Sequence, residues 1–584
     1  MVISNRVVGA LLACGLSLAA VAQSDMCGNA PPLPLGLVQG TLADSTLDGS
    51  NACSDRNQDV WYTFTPSEAG VLVIDGCQMP GSLMVSVHTR CPGTAANQLA
   101  CNAQDSYNCN YRPHLQVALQ AGVEYRIRVA SNGYLGTFTF ATYYIPPRQP
   151  GGHGPDIVSG DIPEYRSYGT ADGHAAYALG STSCNIGDQN AAWTNIDNSN
   201  QHPVISTSMY RLLNGRIDQI GYAWLKHGWA SGTETFCDYC PETGVLPYLI
   251  PGCSDSYDVP QNGTQSGLGP RSEVDPTTGY FPYPPASPAG ITDTTSRRIR
   301  VPVEAVTPAS NAGARYFAEL HYVAADDAAA GNALNNASYR ELINVTPSSI
   351  GGIAGITQRD KPAILAWAQA DPSVLAVAAD FGDRGFTTRF WVASAAKPAG
   401  DGTWTYTYSV FNLNADRAAA SLLLPRLRGV TATAPTFWMP QSHSGEPYSN
   451  TPWQWRSTPE VLGFACPQTF VENPNANALR WGVMATMSFN SPRPPVDRLA
   501  RLGLFKPGNE SEQAELAVTV RVPSGVPCVA DFDDDGFSDG FDYKAFVSCF
   551  QGACEPGQSA DINGDGFVDA FDYDAFVSAF EIGC

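Results

Sequence analysis

The sequence predicts a mainly β, multidomain chain that closes with a small helical module. Three observations carry this. Short β-branched and aromatic runs, separated by Gly, Pro, Ser and Asn, recur from about residue 25 to about residue 521. Two segments rich in Pro and Gly, "YIPPRQPGGHGPDI" (144–157) and "VPSGVPC" (522–528), interrupt those runs. After the second, an acidic and aromatic pattern occurs twice, as "DFDDDGFSDGFDYKAFVSCF" and "DINGDGFVDAFDYDAFVSAF". A length of 584 residues allows three or four domains at ~150 residues each. The expected divisions are 1–22, 25–145, a linker at 146–156, 157–521 as one large β-rich domain or two packed ones, and 528–584.

The first segment reads as a secretory signal peptide. Arg6 gives a short basic start, Val7 to Ala22 is apolar, and Ala20-Val21-Ala22 places small residues before a cut at Gln23. The apolar stretch falls short of the ~20 residues that a membrane span needs, and no other segment is long and apolar enough. A secreted or cell-surface protein is therefore expected. The formal charge of −22 leaves no electrostatic footprint for nucleic acid and would repel anionic lipid. In an exported chain the 16 cysteines are expected mostly in disulfides. Cys14 goes with the signal segment, and the other fifteen cluster as Cys27, Cys53, Cys77, Cys91, Cys101 and Cys109, then Cys184, Cys237, Cys240 and Cys253, then Cys528, Cys549, Cys554 and Cys584, with Cys466 left over. "CDYC" at Cys237 to Cys240 could suggest zinc, but export and the lack of a second such pair favour disulfides.

The block 25–145 reads as all-β. "DVWYTFTPSEAGVLVIDGC", "LMVSVHTRC", "HLQVALQAGVEYRIRVAS" and "LGTFTFATYY" have the length and spacing of sandwich strands. In "VEYRIRVA", Val123, Tyr125, Ile127 and Val129 are expected on one face, and Glu124, Arg126 and Arg128 on the other. "DVWYTF", "HTRCPG", "LACNAQD" and "LQAGVEYRIRVA" resemble the bacterial pre-peptidase C-terminal domain family. That resemblance implies a jelly-roll-like sandwich used as an accessory, binding or spacer module.

The block 157–521 is also β-rich. In "MYRLLNGRIDQIGYAW", Asn214-Gly215 between two strand-like runs is a strong hairpin signal. "RFWVASAAKPAGDGTWTYTYSVFNLN" reads as two strands around a turn, "ALRWGVMATMSFNSP" as another strand, and "KPAILAWAQA" as one short helix. Phrases such as "NQHPVI" and "WLKHG" resemble uncharacterised exported bacterial proteins, a likeness that brings no activity with it. Two classes of function stay open. In a binding or structural module, Trp438, Trp453 and Trp455 could stack on sugar rings or simply fill a core. In a hydrolase, His202, His227, His321 and His443 are the polar candidates, with Glu319 and His321 on one face of a strand as a general acid–base or metal pair. No GxSxG, HExxH, P-loop or dinucleotide fingerprint fixes a reaction.

The terminal repeat has ligand spacing. Asp531, Asp533, Asp535, Asp539 and Asp542 fall at positions 1, 3, 5, 9 and 12 of a loop, and Asp561, Asn563, Asp565, Asp569 and Asp572 fall at the same positions of its copy. Gly536 and Gly566 occupy position 6, where the chain must turn, and Phe537 and Phe567 offer a backbone carbonyl at position 7. Oxygen donors at alternate positions of one loop suit calcium, in the order of an EF-hand. Tyr543, Phe546, Val547 and Phe550, like Tyr573, Phe576, Val577 and Phe580, then recur at helical spacing. A solvated acidic tail would lack those aromatics. Position 12 is Asp rather than Glu in both copies, and no helix precedes either loop. A loop and exiting helix, twice, with Asp at position 12 and a Gly583-Cys584 ending, resembles the dockerin module over all of 528–584. The resemblance implies a calcium-ordered plug for a cohesin-like partner or surface scaffold, in a family linked largely to polysaccharide degradation, with polysaccharide as a further partner of the chain. Gly540, Phe541, Lys544, Ala570, Phe571 and Asp574 are among the positions that would select that partner. Cys549 and Cys554 are expected to pair locally, and Cys528 with Cys584 to clasp the module's ends.

Overall fold

In a computed structural model the described residues are 22–582, apart from 51–52, 54–55, 77–78, 80–82, 104–111, 146–151, 197–199, 235, 239, 241–243, 286–289, 444, 510–511, 526–528, 534–537 and 557. The signal segment, Cys77, Cys109, Cys528, Asp535, Gly536, Phe537 and Cys584 lie outside them. The chain divides into two compact units: Met1–Gln149 with Thr233–Thr243 and Gly252–Ser254, and Pro150–Gly232 with Gly244–Pro251 and Asp255–Cys584.

In the first unit eight strands form two antiparallel sheets. They are β1 (Gly36–Thr41), β2 (Gln58–Phe64), β3 (Gly70–Asp75), β4 (Leu83–His88), β5 (Gln98–Asn102), β6 (His114–Leu119), β7 (Tyr125–Ser131) and β8 (Thr137–Ile145). Their orders are β1-β8-β3-β6 and β2-β7-β4-β5, the crossing pattern of a jelly roll. Alternate residues face a shared core: Val60 and Tyr62, Leu72 and Ile74, Val85 and Val87, Ile127 and Val129, Phe138 and Phe140. Disulfides join Cys27 to Cys91, Cys53 to Cys101, and Cys240 to Cys253. Cys237 is also disulfide-bonded, so the zinc reading of "CDYC" falls.

The expected alternation in "VEYRIRVA" needs correction at its start and holds at its end. Val123 is exposed because β7 begins only at Tyr125. Arg128 does lie opposite Ile127 and Val129, yet it is buried. Its Nε donates to Asp59 Oδ2 at 2.7 Å, Nη2 donates to the Gly49 carbonyl at 3.0 Å, and the Trp61 indole donates to Asp59 Oδ1 at 3.1 Å. Loop glycines roof this face. A Cβ on Gly93 would meet Trp61 at 2.2 Å, so only glycine allows that approach. Burial raises the Asp59 carboxyl above its ordinary range, against the opposing pull of Arg128.

The second unit contains a seven-stranded antiparallel sheet and a sandwich of two five-stranded ones. In the seven-stranded sheet, Val204–Leu213 pairs with Arg216–Tyr222 and with Arg315–Val323. Asn214 and Gly215 turn the hairpin with φ of 53° and 73°, the left-handed pair that such a two-residue turn requires. The sandwich packs Phe390, Val392, Tyr406 and Val410 of one sheet against Leu422, Phe464, Leu502 and Val520 of the other. Trp367, on the short helix Leu365–Ala370, is fully buried where the seven-stranded sheet meets that sandwich, beside Tyr210, Phe317 and Phe411. Cys466 is a buried free thiol.

In the terminal segment the helices Gly540–Phe550 and Ala570–Ile582 form a small core of their own. Phe546 and Phe576, equivalent in the two repeats, stack with ring centroids 4.0 Å apart. The equivalent Tyr543 and Tyr573 hydroxyls are 2.8 Å apart, so the repeats are joined like to like. Cys549 and Cys554 are bridged.

Candidate functional site

The two terminal loops are built the same way. Asp539 is the N-cap of the first helix, and its Oδ1 accepts from the Phe541 amide at 2.8 Å. Three residues on, the buried Asp542 reaches back. Its Oδ2 accepts from Asp539 N at 2.8 Å, and its Oδ1 accepts from Phe532 N and Asp533 N at 2.7 and 3.1 Å. In the copy, Asp569 Oδ1 accepts from Phe571 N at 2.9 Å. Asp572 accepts from Asp569, Ile562 and Asn563 amides at 2.8, 2.7 and 3.0 Å. The Asp at position 12 thus staples the start of the loop to the start of the helix. The capping-box spacing, acid and acid three apart, was the sequence signal for this role. Three backbone amides hold the Asp572 carboxyl below its usual range.

The donor chemistry fits a hard cation. Oxygens of Asp531, Asp533 and Asp542 lie within 4.8 Å of one another. Ligands at 2.3–2.6 Å from one calcium ion are separated by up to roughly 5 Å. In the second loop Asp561 is turned onto its own backbone, accepting from Gly564, Asp565 and Gly566 amides at 2.8, 3.1 and 2.9 Å. Asn563 donates to Asp565 Oδ2 at 3.1 Å, and the Phe567 amide donates to Asp565 Oδ1 at 2.9 Å. Gly566 has φ of 89°, as position 6 demands. Among the described residues, carboxylates converge only in the first loop, at Asp531, Asp533 and Asp542, while Asp561, Asn563, Asp565 and Asp572 of the second are hydrogen-bonded within their own loop. When bound, a cation supplies charge neutralisation to these carboxylates.

The polar candidates of the middle block do not meet in an open cleft. His202 and His227 touch each other in the interior, with Nε2 and Nδ1 3.1 Å apart, among Phe281 and Tyr283. His202 Nδ1 faces the Thr194 carbonyl at 3.1 Å, so it carries the proton and Nε2 accepts from His227. Burial lowers their pKa values to about 4 and about 3. Glu319 and His321 do share a face of Arg315–Val323, but both are buried. Glu319 accepts from the Tyr210 hydroxyl at 2.7 Å and from Ala363 N at 2.6 Å, and burial raises its pKa to about 7. His321 packs against Trp481, and burial takes it down to about 3. Alternation in sequence identified their common face. It could not show that Trp481 and Arg271 cover it.

His443 alone of these borders an open cleft, of about 670 Å³, and it donates from Nε2 to the Arg298 carbonyl at 2.8 Å. Trp438 lines the same cleft. Trp453 is core, donating to the Asn477 carbonyl at 2.7 Å, and Trp455 packs on Phe464 and Phe489.

No protein-family model and no curated protein matches the chain. Among solved structures, a glycosyl hydrolase family 2 member from Bacteroides cellulosilyticus DSM 14838 is similar over 46% of this chain and 26% of its own, at 7% identity and a TM-score of 0.21. A putative beta-galactosidase from Bacteroides fragilis is similar over 49% of this chain and 33% of its own, at 10% identity and a TM-score of 0.19. This chain therefore spans about a quarter of the first and a third of the second. Neither likeness bears on what the chain does.

Proposed function

We propose that this is an exported protein whose residues 528–584 form a calcium-ordered docking plug of dockerin type. The plug fixes a polysaccharide-binding, β-rich body to a cohesin-like partner. The observation that carries this reading is the duplicated loop and helix, in which equivalent residues take equivalent places around one aromatic core. Its outer face supports the docking role. Phe541 is 71% exposed and Phe571 72%, at the same position of the two repeats. Large aromatics left in water by a module this small favour a contact surface. Calcium would sit among the loop carboxylates, whose mutual repulsion otherwise opposes closure of so small a core. The four disulfides described fit an oxidising compartment. A hydrolase centred on His202, His227, Glu319 and His321 gains no support, because all four are closed to solvent.

The test uses the full chain against a panel of recombinant cohesin modules, with calcium and with EDTA. At least one module should bind in calcium and release in EDTA, and Phe541→Ala with Phe571→Ala should abolish binding. Binding to none, or binding indifferent to EDTA, would refute the docking role.

A further inference from the structure

We infer that a cationic trough on the second unit, crossing Trp438, binds an anionic polysaccharide. The inference rests on the reading that the β-rich body is polysaccharide-directed, and it names the class of polymer.

Thr433–Trp438 is the edge strand of its five-stranded sheet. One cleft of about 670 Å³ and another of about 450 Å³ are both lined by Arg211, Phe437 and Trp438. The first lies in the size range of small-ligand sites. Two hollows sharing one aromatic ridge suit a chain lying across it better than a compact ligand.

The ridge is rigid. Trp438 donates from Nε1 to the Gln219 carbonyl at 2.8 Å, which fixes the plane of the half-buried indole. Phe437 stacks on the buried Trp453, with centroids 5.5 Å apart and planes 18° apart. Fixed aromatic faces stack on sugar rings with little loss of side-chain freedom.

The charge of the trough opposes that of the chain. Its walls carry Arg211, Arg300 and Arg216 against Glu304 and Asp218, in a protein of net charge −22. Asp218 is held between Arg211 and Arg216 at 3.2 and 2.9 Å. Arg211 also donates to Asn311, yet its buried Nε has no hydrogen-bond partner. Arg300 pairs loosely with the solvent-facing Asp172, at 3.9 Å, and also feels the charge of Asp293. A guanidinium with so loose a partner is suited to a carboxylate or sulfate on a polymer. Elsewhere this acidic surface would repel such a polymer, so the trough is where it can settle.

Affinity electrophoresis of the full chain separates the outcomes, using gels containing polygalacturonate, dextran sulfate or a neutral galactan. Retardation by at least one anionic polymer, weakened by added salt and absent in galactan, is expected; which gel retards it distinguishes carboxylate from sulfate. Trp438→Ala and Arg300→Gln should each weaken binding about tenfold, with the thermal midpoint of Arg300→Gln unchanged. Trp438→Phe should keep most of the affinity. Galactan bound as well as the anionic polymers would overturn the anionic inference and leave the polysaccharide reading standing. Binding to no polymer would overturn both. Anionic binding untouched by Arg300→Gln would place it outside the trough.

Discussion

At the scale of single residues, the aspartates at position 12 hold two tasks. Asp542 and Asp572 each accept three amides, so they hold the loops and helix starts together before any cation is considered. Asp533 is exposed and reaches the carboxylate cluster from the rim. Asp572→Ala should therefore lower the stability of the plug even in EDTA, since three amides lose their acceptor. Asp533→Ala should leave the EDTA melt unchanged and weaken calcium binding. Circular dichroism melts of both variants, with and without calcium, check the contrast. His321 gives a second residue-scale prediction. Its folded pKa of about 3 lies below its unfolded value of about 6.5. Its contribution is present above pH 6.5 and is lost as pH falls toward 3, because the unfolded chain takes up the proton first. The raised pKa of Glu319 has the opposite sign: its share is present below about 4.5 and is lost as pH rises through about 7. His321→Leu should flatten acid destabilisation between pH 6.5 and 4 by up to ~1.4 kcal/mol per pH unit, read from denaturant midpoints across that range. An unchanged pH profile would mean that His321 is protonated inside the fold.

At the scale of elements, local signals were legible and distant coverings were not. Asn214-Gly215 announced its hairpin because a two-residue turn is written in adjacent residues. The Phe stripes of the terminal helices were legible for the same reason. Arg128 lies on the face that alternation gives it, but its burial could not be read, because alternation identifies a face and not the loop that roofs it, here brought over by Gly49 and Gly93. The trough could not be read at all, since Arg211, Arg300 and Trp438 belong to strands far apart in sequence. The terminal helices depend on one another: Phe546 and Phe576 are fully buried against each other, with Cys549 and Ala560 beside them. Phe576→Ala should cost about 3–5 kcal/mol, enough to melt both helices in EDTA. Saturating calcium should restore them in part, since a ligand bound only by the folded form adds stability by mass action. Loss of only the second helix would contradict a shared core.

At the scale of the whole molecule, the described disulfides fit an oxidising compartment. Among the described residues no helix is long and apolar enough to cross a membrane. Disulfides hold the first unit and the plug, where cores are small for the area they must close. The formal charge of −22 disfavours contact with anionic surfaces. The proposed docking role hangs on metal ordering the plug. The most direct measurement is equilibrium dialysis of the full chain against calcium, with bound ions counted per chain. The expected count is two, falling to one when Asp531→Ala and Asp533→Ala are combined, with helical content rising as the ions bind. A count of zero in the parent chain, or a count of two in the double variant, would contradict the calcium-ordered plug.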